Sequence, residues 1–182
     1  MGDSLTQGFG LPADQGFVPQ LEKWLLEQGA KIKLINAGVS GDTTAGGLSR
    51  IAWTLTPEVD ALIVALGGND ILRGIDPAVS RENLDGILQI ASDAGLPVLF
   101  IGLDAPSNYG TDYETAFEAI YPELATKHDA LHHPNFLAAL AALDDPALVL
   151  KDYMQPDAIH PNAAGVTLIV QDIGPSVLAL IE

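Results

Sequence analysis

Apolar positions along the chain switch between short uninterrupted runs and longer segments with a helical period. This is the pattern of a parallel sheet covered by helices on both faces. Phe17 to Gln28 places Val18, Leu21, Trp24, Leu25 and Leu26 on one side and stops at Gly29, which predicts a helix. Lys31 to Asn36 is predicted as a strand. Thr43 to Leu55 is a second helix, apolar at Leu48, Ile51, Ala52 and Leu55 and ending before Pro57. Asp60 to Leu66 and Pro97 to Leu103 are nearly continuous apolar runs and are expected as central strands. Between them Asp76-Pro77 opens a helix that runs to Ala94 and is closed by Gly95. Asp104 to Thr111 reads as a polar loop, Asp112 to Lys127 as one helix, and Leu131 as a short last strand. Phe136 to Leu143 is expected as a short Ala/Leu-rich helix. Pro161 to Ile181 is expected as a closing helix, broken or ended near Gly174-Pro175.

The 182 residues fit one compact domain, and 48% apolar content supplies enough surface to offset the entropy of folding. Charge removes whole classes of partner. With 24 acidic against 8 basic residues, a net charge of -16, the basic side chains form no patch that would displace counterions from nucleic acid or hold an anionic membrane. An acid excess is commoner in proteins that stay soluble at high salt, but an ordinary acidic surface has the same composition. The absence of cysteine rules out disulfides, thiolate nucleophiles and zinc-thiolate sites. The runs Ala61 to Leu66 and Leu96 to Leu103 fall far short of the roughly 20 residues that span a bilayer, so a soluble protein without membrane insertion is expected. Its compartment stays open between periplasmic, secreted and cytoplasmic.

Candidate chemistry gathers where strands should end, since the loops after successive parallel strands converge in open α/β sheets. Four such segments carry small and polar residues: Gly2 to Thr6, Asn36 to Asp42, Gly67 to Asp70, and Asp157 to Pro161. The Ser4 hydroxyl is a poor nucleophile unless a base lies in hydrogen-bond reach, and His160 can be that base. Asp157, three residues earlier, can fix the tautomer of His160 and stabilise the imidazolium that forms. Attack on an ester builds a negative oxygen. The backbone N–H groups of Ser4 and Gly41 and the amide of Asn69 would give it three donors.

At these residues the sequence resembles the SGNH hydrolase superfamily, the GDSL esterases and lipases. Ser4 stands in the GDSL block, Gly41 in the glycine block, Asn69 in Gly67-Gly68-Asn69-Asp70, and Asp157 with His160 in the DxxH block, all in the family's order. Gly38 to Thr43, Leu66 to Asp70 and Asn108-Tyr109-Gly110 echo the bacterial lysophospholipase, thioesterase and arylesterase branch. The resemblance implies a three-layer α/β/α flavodoxin-like fold and metal-independent hydrolysis of small-molecule esters through an acyl-enzyme. A carbohydrate O-acetylesterase on the same fold is the second enzymatic reading. A flavodoxin-like ligand-binding module is the non-enzymatic one. Family members also carry an apolar strand before the GDSL block, of which only Met1 stands here, so that strand is expected to lie upstream of Met1 in mid-sheet.

Other polar residues are weighed against simpler roles. Asp3 and Asp70 are expected to cap or brace their loops and, with Asn108 and Tyr109, are the further candidates for substrate contact. His128, His132 and His133 beside Asp129 suggest a metal. Adjacent His132 and His133 point apart on most backbones, however, and the reaction already has its base, so neither metal nor cofactor is expected. No G-x-S-x-G surrounds any serine, which argues against an α/β-hydrolase elbow.

Overall fold

In the computed structural model, which describes residues 1–182, the two apolar runs lie side by side as parallel strands. β1 (Leu62–Val64) pairs with β2 (Val98–Ile101), Leu62 opposite Val98, and β2 pairs with β3 (Leu131–His133), Leu99 opposite Leu131. Every residue of β2 is buried, as expected of a strand covered on both faces. The helices follow the chain as α1 (Ser4–Gln7), α2 (Phe17–Glu27), α3 (Thr44–Thr54), α4 (Gly68–Leu72) and α5 (Pro77–Asp93). They continue as α6 (Thr111–Glu118), α7 (Ile120–Lys127), α8 (Ala138–Ala141), α9 (Pro146–Asp152) and α10 (Ala163–Ile181). α2, α8 and α10 pack together on one side of the sheet, and α3, α5, α6 and α7 form the other layer. The expected three-layer α/β/α arrangement with a parallel sheet is therefore present.

The short helices α1, α4 and α9 are additional to the sequence reading, and three of the predicted elements differ from it. Asp112 to Lys127 is two helices meeting at Ala119. Pro122 has no N–H to give the carbonyl of Glu118, four residues earlier, and its ring crowds that carbonyl. α10 runs through Pro175 without stopping. Gln171 and Pro175 both lie on its exposed side, so the carbonyl deprived of its partner faces water. Beside it Gly174 lets the Trp24 ring lie against the backbone, where a Cβ would stand 2.5 Å from the indole. α10 is long and apolar enough to cross a membrane, with mean hydropathy 1.7, but Val166, Ile169, Val170, Ile173 and Val177 are buried in the core.

The third difference is the segment Lys31 to Asn36, which forms no strand. Its side chains alternate, Ile32 and Leu34 half-buried against exposed Lys31, Lys33 and Ile35, yet no ladder forms until Gly38. There Gly2 bridges in parallel to Gly38 on one side and to Ala65 on the other. Met1 continues this pairing, its nitrogen donating to the Ile63 carbonyl at 2.7 Å and its carbonyl accepting from Ala65 N–H at 3.0 Å. Met1-Gly2 thus sits between the 31–38 segment and β1. Beyond Met1 the two are separated by an apolar groove of about 310 Å³, lined by Leu21, Ile32, Leu34, Leu62, Ile63 and Val177 among others. A ladder needs a paired backbone, and residues 31–36 bond to no other strand; the Leu34 N–H donates instead to the Glu22 carboxylate at 2.5 Å.

Candidate active site

Ser4 is the first residue of α1, directly after Gly2 leaves the sheet. Asp3 caps that helix, accepting from Leu5 N–H at 3.0 Å, which fixes the turn that presents the hydroxyl. His160 Nε2 lies 2.8 Å from Ser4 Oγ, although 156 residues separate them. On the other side of the ring, Nδ1 lies 2.7 Å from Asp157 Oδ2. With the proton on Nδ1 facing the carboxylate, Nε2 is left as an acceptor for the serine hydroxyl.

The loop that carries His160 is built on itself. Asp157 Oδ1 accepts from the N–H groups of Ile159 and His160, both at 3.0 Å, and Ala158 takes a left-handed φ of 56° to make the turn. These bonds from the His160 backbone, the His160 ring and Ile159 hold the Asp157 carboxyl at about 2, so it is ionised throughout the neutral range. Gln155 N–H donates to the His160 carbonyl at 2.8 Å, and Gln155 Nε2 donates to Phe9 O at 2.8 Å and Pro161 O at 2.9 Å. This one amide ties the loop after α1 to the histidine loop. Phe9 also packs on the imidazole with 4.7 Å between ring centroids.

Candidate oxyanion donors come from two further loops. The N–H groups of Ser4 and Gly41 donate to no group in the protein and are free for a ligand. Asn69 is the second residue of α4, and its amide lies 3.5 Å from Asp3 Oδ2, beside the nucleophile's helix. Gly67 begins this helix with a φ of 130°, and a Cβ there would meet the Tyr121 hydroxyl at 2.3 Å, so no other residue fits. Asp3 is 2% exposed, and burial pushes its carboxyl up to about 6 against the lowering effects of its bonds to Leu5 and Asn69.

The remaining candidates separate by position. Asp70 is fully buried. Its oxygens accept from Thr44 N–H at 2.9 Å and from the hydroxyls of Thr44 at 2.5 Å and Ser80 at 2.9 Å, so it braces α3 and α5 against α4 and is closed to a substrate. Asp3 is equally enclosed. Asn108 is exposed and bonds to nothing in the protein, and Tyr109 covers Gly74, adjacent to Arg73. His128 faces Asp85 at 2.6 Å and His133 faces Asp172 at 3.3 Å and Ser176 at 3.1 Å, so these rings point to different partners.

Residues 1–168 match the GDSL-like Lipase/Acylhydrolase family. The chain belongs to that family. Among its relatives, this acylhydrolase is 37% identical to Esterase TesA of Pseudomonas aeruginosa over 182 residues, covering all of this chain and 87% of the relative. It is 36% identical to Thioesterase 1/protease 1/lysophospholipase L1 of Escherichia coli over 164 residues, 89% of this chain and 74% of that protein. Among solved structures, the SGNH-hydrolase family esterase AlinE4 superposes with a TM-score of 0.80 at 43% identity, covering 100% of this chain and 94% of the other. The reaction class of this acylhydrolase is ester hydrolysis by a serine enzyme.

Sequence reasoning missed Gln7, which accepts from the Ser40 hydroxyl at 2.8 Å, Arg73, which donates to the Gly41 carbonyl at 2.8 Å, and Gln155 and Phe9. For the first two a signal was present. Gln7 lies three residues after Ser4 and Arg73 four after Asn69, so each shares a helical face with a residue already singled out. Gln155 and Phe9 act through backbone carbonyls and ring packing, which leave no spacing to read.

Proposed function

We propose that this chain hydrolyses short- and medium-chain carboxylic esters, aryl esters and thioesters through an acyl-enzyme. The 2.8 Å and 2.7 Å contacts that join Ser4, His160 and Asp157 carry the reading. Ser4 Oγ attacks the acyl carbonyl while His160 Nε2 takes its proton, and the same imidazolium then protonates the departing alcohol or thiol. Water repeats the sequence and frees the acid. Asp157 keeps the imidazole in register and offsets its charge. Ser4 N–H, Gly41 N–H and the Asn69 amide hold the oxyanion.

Substrate preference follows from an open apolar rim. Phe9 covers His160, Ile159 precedes it, Val39 stands in the turn of Gly41, and Leu72 follows Asn69 on α4; all four are exposed. Such a rim offers a face to an aryl group or a short chain without a deep tunnel. The test is a panel of p-nitrophenyl esters from acetate to palmitate, with an acyl-CoA and an acetylated sugar alongside. Fastest turnover is expected on acetate to octanoate, and Ser4→Ala is expected to lose nearly all of it with the fold intact. Turnover surviving in that variant would remove the mechanism. Preference for palmitate or for the acetylated sugar would replace the substrate assignment.

A further inference from the structure

The Gly41 N–H belongs to the central peptide of a tight turn. Val39 to Asp42 is a β-turn closed by Asp42 N–H donating to Val39 O at 3.1 Å. Gly41 has a φ of 80° and Ser40 has none in the positive range, which makes it type II. In such a turn the central peptide, here Ser40–Gly41, can rotate by half a circle to give type I, and this would reverse the candidate oxyanion donor.

Two side chains bracket that peptide. Gln7 Oε1 accepts from the Ser40 hydroxyl at 2.8 Å, and Arg73 Nη2 donates to the Gly41 carbonyl at 2.8 Å. Gln7 shares α1 with Ser4. Arg73 caps α4, the helix of Asn69. The two helices that carry the other donors thus each send one side chain to the turn. The loop also lies directly on α1, since a Cβ on Gly38 would stand 2.3 Å from the Gln7 nitrogen. At the base of the loop Arg50 bonds Ala37 O at 2.9 Å and Asp42 Oδ2 at 2.7 Å, leaving the tip to Gln7 and Arg73.

The geometry points to Gln7 and Arg73 as positioning residues that hold Ser40 and Gly41, the two residues this peptide joins, by the Ser40 hydroxyl and the Gly41 carbonyl, and so keep the Gly41 N–H available to the oxyanion, an assignment that rests on the esterase reading above. Arg73 is exposed and contributes nothing to the core, and its guanidinium bonds the carbonyl of the residue whose N–H is the candidate oxyanion donor.

The experiment compares Arg73→Ala, Arg73→Lys and Gln7→Ala on p-nitrophenyl butyrate, with phenylboronic acid as a reversible tetrahedral adduct of the serine. Arg73→Ala is expected to lower kcat by about 10- to 100-fold, below the usual loss of a donor itself, with KM within about threefold. The inhibition constant of the boronic acid rises by the same factor as kcat falls. Arg73→Lys recovers most of both, because its ammonium can still donate to the carbonyl. Gln7→Ala shows a smaller loss of the same kind. A kcat for Arg73→Ala within twofold of the parent, or a fall in kcat without the matching loss of boronic acid affinity, overturns the proposal. Ser4→Ala separates the two levels. A normal Arg73→Ala beside a dead Ser4→Ala overturns the positioning role alone, whereas an active Ser4→Ala removes the esterase mechanism together with it.

Discussion

Asp3 sits in an environment that conflicts with its chemistry. It caps the helix that presents Ser4 and faces Asn69, yet burial raises its carboxyl from 3.8 to about 6. Between those values the folded chain holds a proton that the unfolded chain has released, so this group supports the fold at low pH and its contribution is lost as pH rises through about 6. The asymmetry is of order 3 kcal/mol. Asn at position 3 keeps the cap and never ionises. Asp3→Asn is therefore expected to gain stability over the parent as pH goes from 4 to 7, read as the difference in urea midpoints. A constant difference would show that Asp3 titrates normally in the fold. The candidate site residues that the sequence singled out, Ser4, Gly41, Asn69, Asp157 and His160, are those whose proposed chemistry demands a residue type. Gln7 and Arg73 act on a backbone turn through hydrogen bonds that other donors and acceptors can make, so residue type alone does not mark them.

Elements were legible where local pattern decides and obscure where a neighbour does. β1 and β2 follow from unbroken apolar runs, and α5 from Asp76-Pro77 at its start, where the Asp76 carboxylate caps Ala78 N–H at 2.9 Å. The break at Ala119 was readable from Pro122. The passage of α10 through Pro175 was not, because it depends on which side of the helix faces water. Residues 31–36 have the alternation of a strand but make no backbone pairing, and pairing is something no local pattern supplies. The groove beside them predicts what a partner would do. An extended Val/Leu/Ile-rich segment of about six residues joined ahead of Met1 would pair with the 31–36 backbone and with β1 while covering Ile32, Leu34 and Ile63. Its ladder bonds and apolar burial are together worth several kcal/mol. For a domain of this size that raises Tm by on the order of 5–10 °C. An unchanged Tm, with a polar segment of equal length as control, would show that the groove does not seat a strand.

At the scale of the whole molecule the governing quantity is charge. Only six of the 24 acidic side chains, Glu27, Asp42, Asp85, Glu123, Asp157 and Asp172, lie within 4.0 Å of a basic group or histidine ring. Apart from buried Asp3 and Asp70, the rest repel one another across the surface of a chain carrying a net charge of -16. Salt shortens the reach of that repulsion from about 30 Å at 0.01 M to about 8 Å at 0.15 M, so Tm is expected to climb over this range and to level off beyond it. The same field acts on substrates. A neutral p-nitrophenyl ester approaches unopposed, whereas an acyl-CoA brings several phosphate charges toward an acidic protein. Raising NaCl from 0.01 to 0.15 M is therefore expected to lower KM for the acyl-CoA by several-fold and to leave KM for p-nitrophenyl butyrate within about twofold. The comparison isolates the long-range field because both substrates use the same serine. A KM for the acyl-CoA that rises with salt would mean that a local cation, such as exposed Arg73 on the Gly41 carbonyl, outweighs the rest of the surface.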